Sequence, residues 1–286
     1  MSVFQSVLLG VLQGIAEFLP ISSSGHLNVV QHLFGLDEVP LLFDVMLHLA
    51  TLAAVVIFFR KTILKLLVIF FRWIARKPAR DFDDKSDSLS GCDKRGRKTI
   101  VAVILTTIVT GLLGVITSKL IPDLSVKVTC AGFIITAFLL IFSSIAEKKA
   151  SLKNKSAPQD ETKTVSPLQA LFIGLMQGIG TLPGISRSGS TIAGAQLCGV
   201  SRSVAGEYSF IASIPAILGA FVLELKDLSE VAGTVGAGAV IAGCVAAFIF
   251  GYASLAVLMK LIKRGKLEYF AIYLIPVGIA GMLFLR

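Results

Sequence analysis

From Thr99 to Ser118 the chain runs for twenty residues without a charged side chain. A helix needs about 20 apolar residues to cross the roughly 30 Å hydrocarbon core of a bilayer. In lipid a segment must also satisfy its own backbone hydrogen bonds, which a helix does and an open strand does not. Leu124–Ala146, interrupted by Lys127 alone, and Gly233–Met259 have the same character. A chain built around such segments has to fold in a membrane. Of its 286 residues, 55% are hydrophobic and only 16% are charged, against about 25% charged in soluble domains.

Six stretches predict spans: about Leu41–Phe59, Thr99–Ser118, Leu124–Ala146, Ser203–Leu223, Gly233–Met259 and Glu268–Leu285. Two more, Val3–Phe34 and Pro167–Val200, are apolar but broken by Gly, Pro and polar residues. Each reads as two half-helices around a polar turn, the pattern of a re-entrant hairpin shielded by surrounding protein. The expected fold is an all-α polytopic membrane protein with six transmembrane helices and two re-entrant helical hairpins.

Lys and Arg crowd Arg60–Lys98, Lys148–Lys163 and Lys260–Lys266, whereas Asp37–Glu38, Lys119–Lys127 and Glu224–Glu230 are mixed or acidic. The positive-inside rule puts the basic loops in the cytoplasm. The spans then alternate without conflict and both termini lie outside. The net charge of +9 thus reports topology, and no nucleic-acid partner is expected. Lys61–Ala75 mixes basic and apolar residues as an amphipathic helix on the inner membrane face does. Lys77–Gly96 reads as a flexible polar loop, and Asp81, Asp83, Asp84 and Asp87 within it as solvated rather than metal-binding. Cys92, Cys130, Cys198 and Cys244 form no C-x-x-C pair, so free thiols without zinc are expected. Met1–Leu19 lacks a basic start and a cleavage pattern, and reads as mature structure rather than a signal peptide.

The chain repeats itself. Slid by 164 residues, Leu9–Gly25 falls on Ile173–Gly189 without a gap: Gly10 on Gly174, Gln13 on Gln177, Gly14 on Gly178, Ser22 on Ser186, Ser24 on Ser188 and Gly25 on Gly189. Each half is one hairpin followed by three spans. Three is odd, so the halves are expected in opposite orientations, with their polar tips meeting near the midplane as in inverted-repeat transporters. The first repeat covers 1–146, with the amphipathic helix and cytoplasmic loop at 60–98, and the second covers 165–286. Glycines in such segments often serve only close helix packing. That accounts for Gly174 and Gly178 but not for Glu17, His26 and Arg187, because ionisable groups at membrane depth are costly and usually functional.

In the first tip, Gln13 and Glu17 are four residues apart and share a helix face. Pro20 ends that half-helix, and Ser22 or Ser23 can cap the next. A helix start offers free N–H groups and a positive dipole end, which suits phosphate. His26 lies about one turn beyond Ser23. In the second tip, Ser186, Ser188, Gly189 and Thr191 surround Arg187, whose planar fork fits phosphate oxygens. His32 and His48 stay open, either near this site or merely surface and packing groups.

These segments resemble the signatures of the undecaprenyl-diphosphate phosphatase family, the bacitracin-resistance proteins. A Glu/Gln-x-x-x-Glu element is matched by Gln13 and Glu17. A Pro-x-Ser-Ser/Thr-Ser/Thr-Gly-His element is matched by Pro20 to His26, and a Pro-Gly-x-Ser-Arg-Ser-Gly-x-Thr element by Pro183 to Thr191. The resemblance covers nearly the whole chain. It implies hydrolysis of a C55 isoprenoid diphosphate to the monophosphate carrier used in cell-wall synthesis, at a site facing the outer side of the bacterial cytoplasmic membrane. It implies Ser23 as nucleophile with Glu17, His26 and Arg187 as the other key residues, while His26 remains an alternative nucleophile. Gln13, Ser22, Ser24, Gly25, Ser186, Ser188, Gly189 and Thr191 are the expected substrate-binding residues.

A divalent cation, Mg²⁺ or Ca²⁺, is expected to bridge Glu17 and the diphosphate, although Gln13 leaves one carboxylate where the family pattern allows two. The expected partners are the polyprenyl diphosphate lipid, the bilayer and a second copy in a homodimer. The competing function is a secondary transporter or flippase for an anionic lipid phosphate, since broken helices in inverted repeats are a transporter hallmark.

Overall fold

A computed structural model describes residues 1–36, 41–80, 89–120, 124–153, 164–224 and 235–285. Among these residues the chain is all helix, with eleven helices and no strand. They are α1 (Val3–Phe18), α2 (Ser23–Leu33), α3 (Leu41–Phe58), α4 (Arg60–Ile74), α5 (Asp93–Leu120), α6 (Val126–Lys153), α7 (Pro167–Ile179), α8 (Arg187–Leu197), α9 (Arg202–Glu224), α10 (Ala237–Arg264) and α11 (Tyr269–Phe284). Asp37, Glu38, Asp81, Asp83, Asp84, Asp87 and the Leu225–Glu230 part of the acidic connection lie outside the described residues, as does 154–163 of the basic loop.

Four helices are long and apolar enough to cross a membrane: Asp93–Leu120, Val126–Lys149, Arg202–Leu223 and Ala237–Arg264. A fifth span is reached by counting α3 and α4 as one broken pair, bent by 81° at Phe59. The chain is a multi-pass membrane protein. The segment expected as a sixth span, α11, has 16 residues and extends about 24 Å at 1.5 Å per residue. Side chains on the lipid-facing surfaces are apolar, as in Ile108 and Leu112 of α5 and Ile241 and Ile249 of α10, each more than half exposed.

Helix ends run past the apolar runs. α5 begins at Asp93, inside the stretch read as a flexible loop. The reason is a buried anchor: Asp93 is 1% exposed, accepts from the Arg80 backbone N–H at 2.9 Å and lies 3.5 Å from Arg72 Nε of α4. Leu89 and Ser90 beside it are fully buried. α4 has the expected amphipathic form: Leu66 and Ile69 face the protein, while Leu64, Val68, Phe71 and Ile74 remain exposed.

The two segments that match in sequence also match in backbone detail. Ser2 and Gln5 form a capping box at the start of α1, and Ser166 and Gln169 form the same box at the start of α7. The bounds of α2 displaced by 164 are those of α8. The hairpins pack crosswise: α1 lies on α10 of the second half, α7 on α5 of the first, and α6 against α11. Gly10 faces the Gly243 backbone and Gly14 the Ala247 carbonyl, while Gly174 and Gly178 meet Thr106, Val109 and Leu113 of α5. Close packing is therefore the work of these glycines, as small residues do between membrane helices.

Candidate active site

The polar centre forms where the two hairpin tips touch. Gly184, in the left-handed region at φ +87°, sits against Thr129 of α6, where a side chain would strike the backbone. A Cβ on Gly25 or Gly132 would in turn press on Gly184. Three glycines from α2, α6 and the second tip thus let the backbones meet. Gly189 abuts Pro20 across the same junction.

Pro20 stops α1, and the chain reverses through Ser22, whose φ of +70° is unusual for a residue with a side chain. The Ser22 hydroxyl accepts from the Gly25 N–H at 3.3 Å and caps α2. Ser23 becomes the first residue of α2, and its Oγ donates to Glu17 Oε2 at 2.6 Å. Gln13 Nε2 donates to the same oxygen at 3.0 Å, as one helical turn allows. Glu17 Oε1 accepts from Arg187. Arg187 is the first residue of α8 and the repeat counterpart of Ser23, since 23 + 164 = 187. The same structural position supplies a hydroxyl in one half and a guanidinium in the other, and both end on one carboxylate. Glu17 itself is 6% exposed. A small polar pocket beside the pair is lined by Glu17, Thr51, Gln177, Arg187, Ser209 and Ser213 among others.

In the second tip the Ser186 hydroxyl accepts from the Gly189 N–H at 3.0 Å, and its backbone N–H donates to Thr136 Oγ1 at 2.9 Å. Ser188 Oγ lies 3.2 Å from Ser186 Oγ. Thr191 donates to the Arg187 carbonyl at 2.9 Å and meets Ser209. Gln177, the counterpart of Gln13, bonds to Thr110 at 3.0 Å instead of to a carboxylate, since Thr181 stands where a second Glu17 would be. Ser24 is half-buried beside the junction.

His26 is buried near this centre but is turned aside. Its Nδ1 lies 2.8 Å from the Ser22 carbonyl and its Nε2 2.8 Å from the Tyr273 hydroxyl of α11, with Phe133 packed on its ring. No bond links it to Ser23 or Glu17 among the described residues. His48 of α3 comes in its place: Nε2 lies 3.4 Å from Glu17 Oε2, while Nδ1 donates to the Asp44 carbonyl at 2.7 Å. His32 sits in the last turn of α2, roughly 14 Å along the helix from Ser23. Tyr273 escaped the sequence reading because a tyrosine in an apolar segment gives no sign of its partner 247 residues away.

Glu17 is fully engaged by protein neighbours in this structure. Ser23, Gln13 and Arg187 donate to its oxygens and His48 lies beside them, and no three His, Cys, Asp or Glu among the described residues are grouped to hold an ion. A cation bridging Glu17 and a diphosphate would take its remaining ligands from phosphate oxygens and water rather than from a protein shell.

Fold and site together define a polytopic helical membrane protein that carries a serine, a carboxylate and a guanidinium in one buried contact. The sequence matches the family described as bacitracin resistance protein BacA over residues 6–280. It is 45% identical over 279 residues to the undecaprenyl-diphosphatase of Treponema denticola, covering 98% of this chain and 96% of that protein. It is 37% identical to the one of Methanosphaera stadtmanae, at 98% and 96% coverage, and 35% identical to that of Borreliella burgdorferi, at 100% and 99%. The chain belongs to the bacitracin resistance protein BacA family.

Proposed function

We propose that the chain hydrolyses undecaprenyl diphosphate to undecaprenyl phosphate and inorganic phosphate, recycling the lipid carrier of cell-wall synthesis. The carrying observation is Ser23 Oγ at 2.6 Å from a buried carboxylate oxygen whose partner oxygen is held by Arg187. A serine hydroxyl is a weak nucleophile until an adjacent base takes its proton, and Glu17 stands in that place. A transporter of anions needs the guanidinium and the helix ends but has no use for the serine–carboxylate pair.

In this reading the terminal phosphate replaces Glu17 as the partner of Arg187 and meets the N–H groups at the starts of α2 and α8, a favourable site for anions. Glu17 takes the Ser23 proton as Oγ attacks the terminal phosphorus and the bridging P–O bond breaks. The monophosphate lipid leaves with the bridging oxygen. Water then cleaves the phosphoserine, giving inorganic phosphate and restoring Ser23. Arg187 offsets charge on the equatorial oxygens, as guanidinium groups do in phosphoryl transfer. Gln13 orients Glu17, and the serines and glycines of both tips shape the anion cradle.

The same reading takes α1–α2 and α7–α8 as re-entrant hairpins and the halves as inverted repeats with six spans, in the bacterial cytoplasmic membrane with the site open to the outer side. Two features support it. Gln169 at the start of α7 donates to the Cys198 carbonyl at the end of α8 at 2.9 Å, so the second hairpin leaves where it enters. That end carries the basic residues: Arg202 pairs with Glu147 at 2.5 Å and Lys148 with Glu268 at 2.8 Å, which fits a cytoplasmic face.

The test is phosphate release from undecaprenyl diphosphate by purified protein in detergent, where transport is abolished but hydrolysis is measurable. Wild-type turnover with a loss of about 10²-fold or more in Ser23→Ala is expected. Protein that binds the lipid and releases no phosphate removes the phosphatase reading.

A further inference from the structure

The residue that presents the nucleophile is held in an unfavourable conformation. Ser22 has φ +70°, a backbone conformation that residues with a Cβ rarely adopt, and such strain persists only where surrounding contacts over-determine it. One of those contacts is the bond from the His26 ring to the Ser22 carbonyl, 2.8 Å long. A carbonyl only accepts, so Nδ1 must carry the proton. The neutral ring then has a bare Nε2, and the group facing it at 2.8 Å is the Tyr273 hydroxyl. Of the two neutral tautomers, only the one with the proton on Nδ1 satisfies both bonds. Phe133 of α6 covers the ring at 4.7 Å between centroids, and Tyr273 lies nearly parallel to it, 14° off. The ring is thus clamped by two helices that pack on each other, α6 and α11.

We propose that Tyr273 is a positioning residue for the Ser23 nucleophile: by donating to His26 Nε2 it fixes the imidazole with its proton on Nδ1, and that proton holds the Ser22 carbonyl and keeps the Ser22–Ser23 turn aimed at Glu17. The inference rests on the phosphatase reading and goes beyond it by giving the last helix a role in the chemistry of the first hairpin. His26 acts here through backbone geometry.

Three measurements test it. Tyr273→Phe keeps the ring and removes the hydroxyl. Its kcat for phosphate release should fall about tenfold or more while KM stays within about twofold, the signature of an interaction needed in the transition state rather than in binding. The ¹⁵N shifts of the His26 imidazole should show the Nδ1–H tautomer in the wild type and a mixture of tautomers in Tyr273→Phe. Adding Ser22→Gly should recover part of the lost kcat, because glycine takes a positive φ without strain and is well tolerated as an N-cap. Normal kcat in Tyr273→Phe with an unchanged His26 tautomer overturns the proposal. So does a lower kcat that Ser22→Gly leaves unrelieved while the tautomer stays fixed, which means the hydroxyl acts elsewhere. Failure of the phosphatase reading is a separate outcome: it shows as a wild type that releases no phosphate, whereas the tautomer measurement needs no turnover.

Discussion

Glu17→Gln separates charge and basicity from shape at the centre of the site. The carboxylate is 6% exposed, with Ser23 and Gln13 on one oxygen and Arg187 on the other. In the variant the amide oxygen remains for Arg187, whose side chain keeps 19% exposure. The new NH₂ lies where Oε2 was and faces Ser23, which can turn to accept. It also faces Gln13, whose amide can rotate because its Oε1 is buried without a partner. The fold exchanges charged bonds for neutral ones and leaves Arg187 without its counter-charge, a loss on the order of 1–3 kcal/mol, below the roughly 3–5 kcal/mol of a fully buried unpaired charge because the guanidinium keeps some contact with solvent. The chemistry loses more. An amide cannot take the serine proton, and a positioned base contributes about 10²–10⁴ in rate, or roughly 3–5 kcal/mol of barrier. Phosphate release and thermal unfolding are measured on the same detergent-purified sample. The expected result is a melting temperature lower by a few degrees and turnover down at least about 100-fold. A folded Glu17→Gln that turns over within about tenfold of wild type would falsify Glu17 as the base.

Arg187→Lys keeps the charge but loses the two-pronged fork. It should lower kcat/KM by about 10²-fold, the scale of a lost transition-state donor, and combining it with Ser23→Ala should cost little more than the worse single change. A lower melting temperature with normal turnover would instead make Arg187 a structural partner of Glu17. His48→Leu removes the ring 3.4 Å from Glu17 Oε2; turnover should fall several-fold with folding intact, and an unchanged kcat means that His48 only packs. Gly184→Ala places a side chain at φ +87° against Thr129. It should cost roughly 2–4 kcal/mol from strain and overpacking, seen as a large drop in melting temperature, and wild-type stability would show that the tips do not need this close approach.

Much of this was legible in the sequence because membrane physics writes long apolar runs and because the repeat writes itself twice. The break at Pro20 and the serines that start α2 and α8 follow from the paired motifs, whereas the direct pairing of Glu17 with Arg187 does not. Hydropathy was blind to the helix ends. Lys148 and Lys149 continue α6 and Lys260, Lys263 and Arg264 continue α10, since charged residues outside the core are as helical as apolar ones within it. It also missed the ordered start of α5, which depends on Asp93 finding Arg72. His26 was read as one turn beyond Ser23 and able to reach a phosphate; that its ring meets Tyr273 of another helix was not legible. A residue's spacing tells which turn it occupies and not which neighbour arrives from another helix.

The crosswise packing of the hairpins also constrains the order in which the molecule can be completed. α1 leaves the ribosome more than 200 residues ahead of α10, the helix that begins at Ala237 and covers its surface. Throughout synthesis the segment bearing Gln13 and Glu17 must wait beside the growing chain with Gly10 and Gly14 uncovered, and contacts so distant in sequence close late and slowly. Newly made protein should therefore pass through a stage in which every long helix is inserted and the polar centre is still unassembled.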